Sequence, residues 1–269
     1  MTTVVSHARF RDLVAAEWVK LWSLRSTRWV LGVGALALIG LAVRGSASTY
    51  TDWPTYTPRE QANYDPMTEI LNGATASLLM IGAGSVGALS VVSEYATGLI
   101  RTTLAAVPTR HRVVAAKLTL VAAVMFALSA LIVAISFGAS QAILSGRQLD
   151  VALTDPGVLR VLAADVLLAP MSALVGMGLG ALLRHTAATI VAVCAVLVVV
   201  PSFFKPTVYQ WVNDLYATVP LYVWRNCLSQ LHPRHSDALP TVSGSWAVFV
   251  LWPLIAALLT LLVVHRRDM

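Results

Sequence analysis

Few residues in this chain stand in patterns that do chemistry. Ser202-Phe203-Phe204-Lys205 has the S-x-x-K spacing of a serine nucleophile beside a lysine, but the companion motifs of the penicillin-binding class are missing. His232-Pro233-Arg234-His235 sets two imidazoles three residues apart. Pro233 disrupts the helix that would aim both at one metal, no adjacent cysteine completes a site, and H-E-x-x-H is absent. Cys194, in an apolar run, and Cys227, in a polar stretch, are too few for a disulfide framework or a cysteine-rich metal site, and both read as unpaired. His111, His185 and His265 each adjoin an arginine and read as solvated boundary residues. The chain contains no Gly-Lys pair, so it has no P-loop and binds no ATP through one. Asp165, a few residues into an apolar run, is the closest to a deep ionisable group. At about 1.5 Å per residue it lies less than ~10 Å in, where it can reach the interface, pair with Arg160, or serve a substrate or a proton. This poverty of deep ionisable groups argues against a secondary transporter and against an intramembrane protease.

The elements that carry these residues follow from composition. Of 269 residues 57% are hydrophobic and 12% charged, with a mean hydropathy of +0.73. Soluble domains carry about 25% charged residues, so an ordinary soluble enzyme and a disordered chain are both excluded. Spanning helices need about 20 apolar residues. Six runs qualify: Arg28 to Gly45, Thr68 to Val92, Leu118 to Leu144, Val161 to Leu183, Ala187 to Phe204, and Ser245 to Val264. In lipid each must be helical, because open strands leave backbone groups unsatisfied. The fold class expected is an all-α polytopic membrane protein with six transmembrane helices. The first run resembles a signal peptide, with Gly45-Ser46-Ala47-Ser48 imitating a cleavage region, but the polar stretch before it is too long for an n-region.

Basic residues set the expected orientation. The N-terminal stretch, the link between spans 2 and 3, the Arg184-His185 turn and the C-terminus together hold twelve bases and four acids, which leaves seven bases and nine acids for the other side. Positive residues stay inside, so both termini are expected in the cytoplasm of a cell-membrane protein. The net charge of +6 is then a topology signal, and nucleic acid is not needed to explain it.

Two cytoplasmic segments carry the remaining information. Phe10, Leu13, Val14, Trp18, Leu21 and Leu24 recur at helical spacing, with Arg9, Arg11, Lys20 and Arg25 for headgroups and Trp18, Trp22 and Trp29 suited to the interface. Such a helix lies on the membrane surface and turns inward at Ser26-Thr27. Glu17 falls within its apolar arc, either paired with Lys20 or Arg25 at the interface or in contact with the next cytoplasmic loop or a partner. The second segment runs from Ser93 to Lys117. Span 2 leaves the membrane near Glu94, Gly98 breaks the helix, Leu99 to Ala106 can form a short helix, and Pro108 ends it. Arg110, Arg112 and Lys117 then open span 3.

Here the chain resembles a family. Glu94-x3-Gly98-x2-Arg101-Thr102-Thr103-Leu104, followed by Pro108-Thr109-Arg110 and Lys117, is similar to the intracellular loop of ABC-2 type transporter permeases. Glu17-Trp18-x-Lys20-Leu21-x-Ser23-x2-Ser26 resembles the N-terminal elbow of the same family, and Trp22 lies within it. The order of elements agrees along the whole chain, and the residue-level likeness covers about residues 14–28 and 93–117.

The resemblance implies an elbow segment at 1–27, a six-helix permease domain at 28–264 and a short tail at 265–269. It implies a coupling helix between spans 2 and 3 that docks on a separate ABC ATPase subunit. Glu94, Gly98, Arg101, Thr102 and Thr103 would lie at or beside that helix, with Pro108, Arg110 and Arg112 at its return. Two permease chains, identical or paralogous, would pair with two ATPases, which hold the ATP and Mg; this chain would bind no cofactor. The expected function is outward movement of an amphipathic or lipophilic cargo, a class that includes drugs and antibiotics. The alternative is a membrane anchor or sensor that binds a cytoplasmic partner through 93–117.

Gly82, Gly84 and Gly87 in span 2 and Gly176-x-x-x-Gly180 in span 4 allow close helix approach, within one chain, at a dimer seam or along a translocation path. Pro170 is expected to kink span 4. The long outer segment from Lys205 to Ser243, rich in Tyr, Trp and Pro, is expected to form two short helices, Val208 to Leu215 and Leu221 to Leu231, resting in the outer leaflet. The resemblance supports re-entrant or interfacial helices there.

Overall fold

The computed structural model describes residues 9–23, 25–96, 110–205, 207–233 and 239–267, and all regular structure among them is helical. Helix α1 covers Phe10–Ser23 and α2 Arg25–Asp52. A short helix α3 (Pro58–Ala62) lies between 3-10 turns at Trp53–Thr55 and Pro66–Glu69. Then come α4 (Gly73–Ala96), α5 (Arg110–Leu144) and α6 (Val158–Leu183). Helix α7 (Thr186–Cys194) runs on through a π turn, Ala195–Val199, to Ser202. Short α8 (Gln210–Tyr216) and α9 (Pro220–Val223, extended by a π turn at Trp224–Leu228) precede α10 (Val242–Arg267).

Five of these helices, α2, α4, α5, α6 and α10, are long and apolar enough to cross a membrane. The run expected as the fifth of six spans is a shorter apolar helix, Thr186–Ser202. Phe203 and Phe204, counted into that run for their hydropathy, fall in the turn that closes it. The span expected from Thr68 begins instead at Gly73. Thr68 belongs to a 3-10 turn, and the Asn72 side chain accepts from the backbone N–H groups of Ala74 (3.0 Å) and Thr75 (3.1 Å), capping α4. Helix α2 runs past Gly45 to Asp52 because its small polar residues find a neighbour. Ser46 is fully buried and its hydroxyl donates to that of Ser140 on α5 at 2.8 Å.

Helix α6 is the hub, packed against α4, α5, α7 and α10. The most apolar stretches of α6 and α4 are 67% and 61% buried, against 22% for α2 and α10, so the first pair is central and the second peripheral. Helix α6 is continuous through Pro170, itself buried. The α4–α6 seam is made by glycines. A Cβ on Gly176 would stand 1.9 Å from the Gly84 carbonyl oxygen, and one on Gly87 would stand 2.0 Å from that of Ala173. Gly180 meets Ala88 in the same way, at 3.0 Å. Of the glycines expected to permit close approach, these form a seam within the chain, whereas Gly82 faces nothing within 4 Å.

One end of the bundle collects α1, the C-terminal end of α4, the start of α5 and the α6–α7 turn, where the Arg184 guanidinium lies 4.3 Å from the centre of the Tyr95 ring. The opposite end is closed by the 53–72 connection and by residues 220–231, where α9, its π turn and the turn after them double back (the α9 hairpin). Asp65 accepts from the backbone N–H of Leu231 at 2.7 Å, and Arg160 donates to the carbonyls of Gln230 (2.6 Å) and Leu231 (3.0 Å). Burial, and then the charge of Glu69 and the hydrogen bond to it, raise the Tyr64 phenol well above its usual range, so its hydroxyl stays a donor.

The two short helices expected in the long outer segment are found at Gln210–Tyr216 and Pro220–Leu228. The second is no surface helix: Leu221, Tyr222, Val223, Trp224, Cys227 and Leu228 are all buried. Cys227 therefore lies inside a packed helical turn and not in a polar loop; the polar neighbours Arg225, Asn226 and Ser229 take the other side of that turn. Both cysteines are free thiols.

Candidate functional site

The most concentrated charge chemistry among the described residues lies where α1 meets the two stems of the 97–109 link. Residues Gly98, Arg101, Thr102, Thr103 and Pro108, expected at the coupling helix, lie outside the described residues. Arg110 opens α5, with its side chain also outside them, and Arg112 is exposed. The residues flanking the link are brought together. The Lys20 ammonium contacts Glu17 Oε1 at 2.6 Å and Glu94 Oε1 at 3.0 Å. The Lys117 ammonium contacts Glu17 Oε2 at 2.5 Å and Glu94 Oε1 at 2.9 Å, and donates to the Ser90 carbonyl at 3.3 Å. Two carboxylates and two ammonium groups thus close a ring of zero net charge across three helices.

The ring explains the residue that spoiled the α1 stripe. Leu13 and Glu17, one turn apart, are the two buried residues of α1. Leu13 packs on Val113 and Ala116 of α5, and the carboxylate one turn further on meets Lys117 on the same face. Glu17 pairs with Lys20 on its own helix, as one reading expected, and also meets Lys117 of α5. Trp18 is exposed and Trp22 half-buried, their rings tilted at 5.4 Å. Arg28 then donates to the Trp22 carbonyl, at 2.8 Å through Nε, and so fixes the turn from α1 into α2.

Burial is uneven around the ring: the side chains of Glu17, Lys117 and Glu94 are 5%, 11% and 13% exposed, and that of Lys20 is 38% exposed. Burial by itself pulls the Lys20 ammonium down. Its hydrogen bond to Glu17, the charges of Glu94 and Glu17 and the hydrogen bond to Glu94 outweigh that, and the net is a rise above the usual 10.5. A base raised in the folded state contributes stability that is complete below its unfolded value and is lost as pH climbs through the folded one. The docking of α1 is therefore expected to be insensitive to Lys20 between pH 7 and 10, and to weaken only above 10.5. Tryptophan fluorescence of Trp18 and Trp22 against pH checks this. A transition near neutrality that disappears in Lys20→Met would contradict it.

Lys117 is the member of the ring that sequence reasoning undervalued, as a mere headgroup contact. A signal was present: it is a base set beyond Arg112 behind the apolar stretch Val113 to Ala116, matching the acid in the apolar arc of α1.

A second polar contact lies deeper. Asp165 on α6 is 1% exposed and accepts from the Trp224 indole N–H at 2.8 Å through Oδ1. It does not pair with Arg160, whose guanidinium is turned to Gln230 and Leu231. The S-x-x-K serine is spent locally, its hydroxyl donating to the Val198 carbonyl at 2.7 Å. His232 is exposed, and its expected partner His235 lies outside the described residues. Compared with models of known protein families, the chain matches none. Compared with curated proteins, it also finds no match.

Proposed function

We propose that this chain is the membrane-spanning permease subunit of an ATP-driven exporter of the ABC-2 type. It moves an amphipathic or lipophilic cargo outward, pairs with a second copy or a paralogue, and is driven by separate ATPase subunits that hold ATP and Mg. In this reading both termini are cytoplasmic and α1 is the elbow helix on the inner leaflet. The 97–109 link carries the coupling helix, Thr186–Ser202 is the fifth of six crossings, and the α8 and α9 helices enter the outer leaflet.

The observation that carries the reading is the charge ring. Glu94 stands just before the link and Lys117 just after it, and Glu17 and Lys20 of α1 hold both. A displacement applied to the link is passed to α4, α5 and α1 together, and α4 passes it to α6 through the glycine seam. A link that merely connected two spans would have no need of so stiff a base.

The test is purification of the tagged chain from its native membrane in mild detergent, with mass spectrometry of what accompanies it. A stoichiometric soluble ATPase with a P-loop is expected. Repeated recovery without one, under conditions that keep other membrane complexes intact, would replace this reading with that of an anchor or sensor.

A further inference from the structure

Asp165 is, among the described residues, a carboxyl buried in the bundle interior that the fold leaves half satisfied. Its Oδ1 is satisfied by Trp224, while Oδ2 is buried without a hydrogen-bond partner. Among the described residues no base pairs with it. The described residues of the elements packed around it offer it no cation. From α5, Ser129 donates to its backbone carbonyl at 3.4 Å. On α6 itself, Arg160 is committed to the hairpin carbonyls. From the hairpin comes the Trp224 indole, while Arg225 lies against Gly73. The charged group that acts on it from the 53–72 connection is another acid, Asp65, whose own two oxygens are taken by the backbone N–H groups of Met67 and Leu231.

An isolated carboxylate sealed in an apolar interior is far more costly than its neutral form, and a like charge nearby adds to that cost. A metal ion would need several oxygen ligands, and an organic cation would need room. A proton needs neither.

We infer that Asp165 is a proton-binding site, with the proton on Oδ2, while the α9 hairpin is seated against α6. Seating the hairpin and protonating Asp165 are then linked. The indole N–H donates to Oδ1 of a neutral carboxyl, and lifting Trp224 admits water, lets Asp165 ionise and releases the proton to the aqueous phase at that end. This makes Asp165 and Trp224 a latch set by one proton, and it holds whatever the chain moves or binds.

Infrared spectroscopy of the purified full-length chain in lipid discs, at neutral pH, tests it. The carbonyl stretch of a protonated carboxyl is expected in the wild type. It should move to lower frequency when the chain is grown on carboxyl-13C aspartate, and vanish in Asp165→Asn. Absence of any aspartate-sensitive carboxyl band in the labelled wild type overturns the inference, as does survival of that band in Asp165→Asn. Should Asp165→Asn not fold, the labelled wild type still decides whether a protonated aspartate exists. Trp224→Phe, which removes the donor to Oδ1, should then shift the band. No shift in Trp224→Phe would assign the proton elsewhere and overturn the site.

Discussion

Alanine at Gly87 or Gly176 is expected to abolish accumulation of folded protein, while alanine at Gly82 leaves it intact. The three glycines look alike in sequence, and their surroundings decide. The new methyl at Gly176 would lie 1.9 Å from the Gly84 carbonyl oxygen, and that at Gly87 2.0 Å from the Ala173 oxygen. Both obstacles are backbone, so no side chain can swing aside; α4 and α6 must part along the seam. Overpacking a core typically costs about 1–3 kcal/mol, and here it separates the two most buried spans, so the loss should reach or exceed that upper figure. Gly82 has nothing within 4 Å, and a helical alanine there should be neutral or add up to about 0.5–1 kcal/mol. Expression level and thermal unfolding in detergent, run side by side on the three variants, give the comparison. Equal behaviour of all three would show that the helices do not approach through these residues.

The second large effect is expected at Lys117. Lys117→Met removes the ammonium that bridges Glu17 and Glu94 and leaves two carboxylates against one partly exposed Lys20. Breaking a buried ion pair by removing one partner costs about 3–5 kcal/mol, because the charge left behind is uncompensated. The loss should fall on the docking of α1 more than on the bundle, since α1 is held chiefly by α5. A disulfide between cysteines placed at Leu13 and Val113, formed readily in an otherwise wild-type background, should form poorly when Lys117→Met is added. Inverting all four charges, Glu17→Lys and Glu94→Lys with Lys20→Glu and Lys117→Glu, should restore much of it, because every contact of the ring keeps an opposite pair. Replacing Lys20 instead should have a smaller effect, because its side chain is 38% exposed and water screens the change.

Should the exporter reading hold, Lys117→Met also acts on function. The link would remain able to meet its ATPase, but its motion would reach α4 and α5 without α1. ATP hydrolysis by the purified complex would then persist while cargo movement falls. A parallel fall in both would point to loss of the complex.

Hydropathy and local pattern were enough to give the helical class, the approximate positions of five long apolar helices and the two short helices between Lys205 and Ser243. Lipid leaves a backbone few alternatives, so composition alone selects helices there. The breaks in apolar runs are also local events, set by Pro, Gly and Asn caps. The sequence likewise marked Glu17 as anomalous and Asp165 as the deep acid, because each interrupts an apolar pattern. What those two residues contact was decided only by tertiary structure. Glu17 meets Lys117 and Lys20 meets Glu94 because α1 folds back across the stems of a link far along the chain. Asp165 meets Trp224 because a hairpin from beyond α7 is drawn into the bundle. The same holds for the glycines: spacing marked all of them as able to permit close approach, and the rotation of α4 about its axis determined that Gly84 and Gly87 face α6 while Gly82 faces away. Periodicity tells which residues share a face of a helix; which partner that face meets depends on packing between segments distant in sequence, and no local pattern records it.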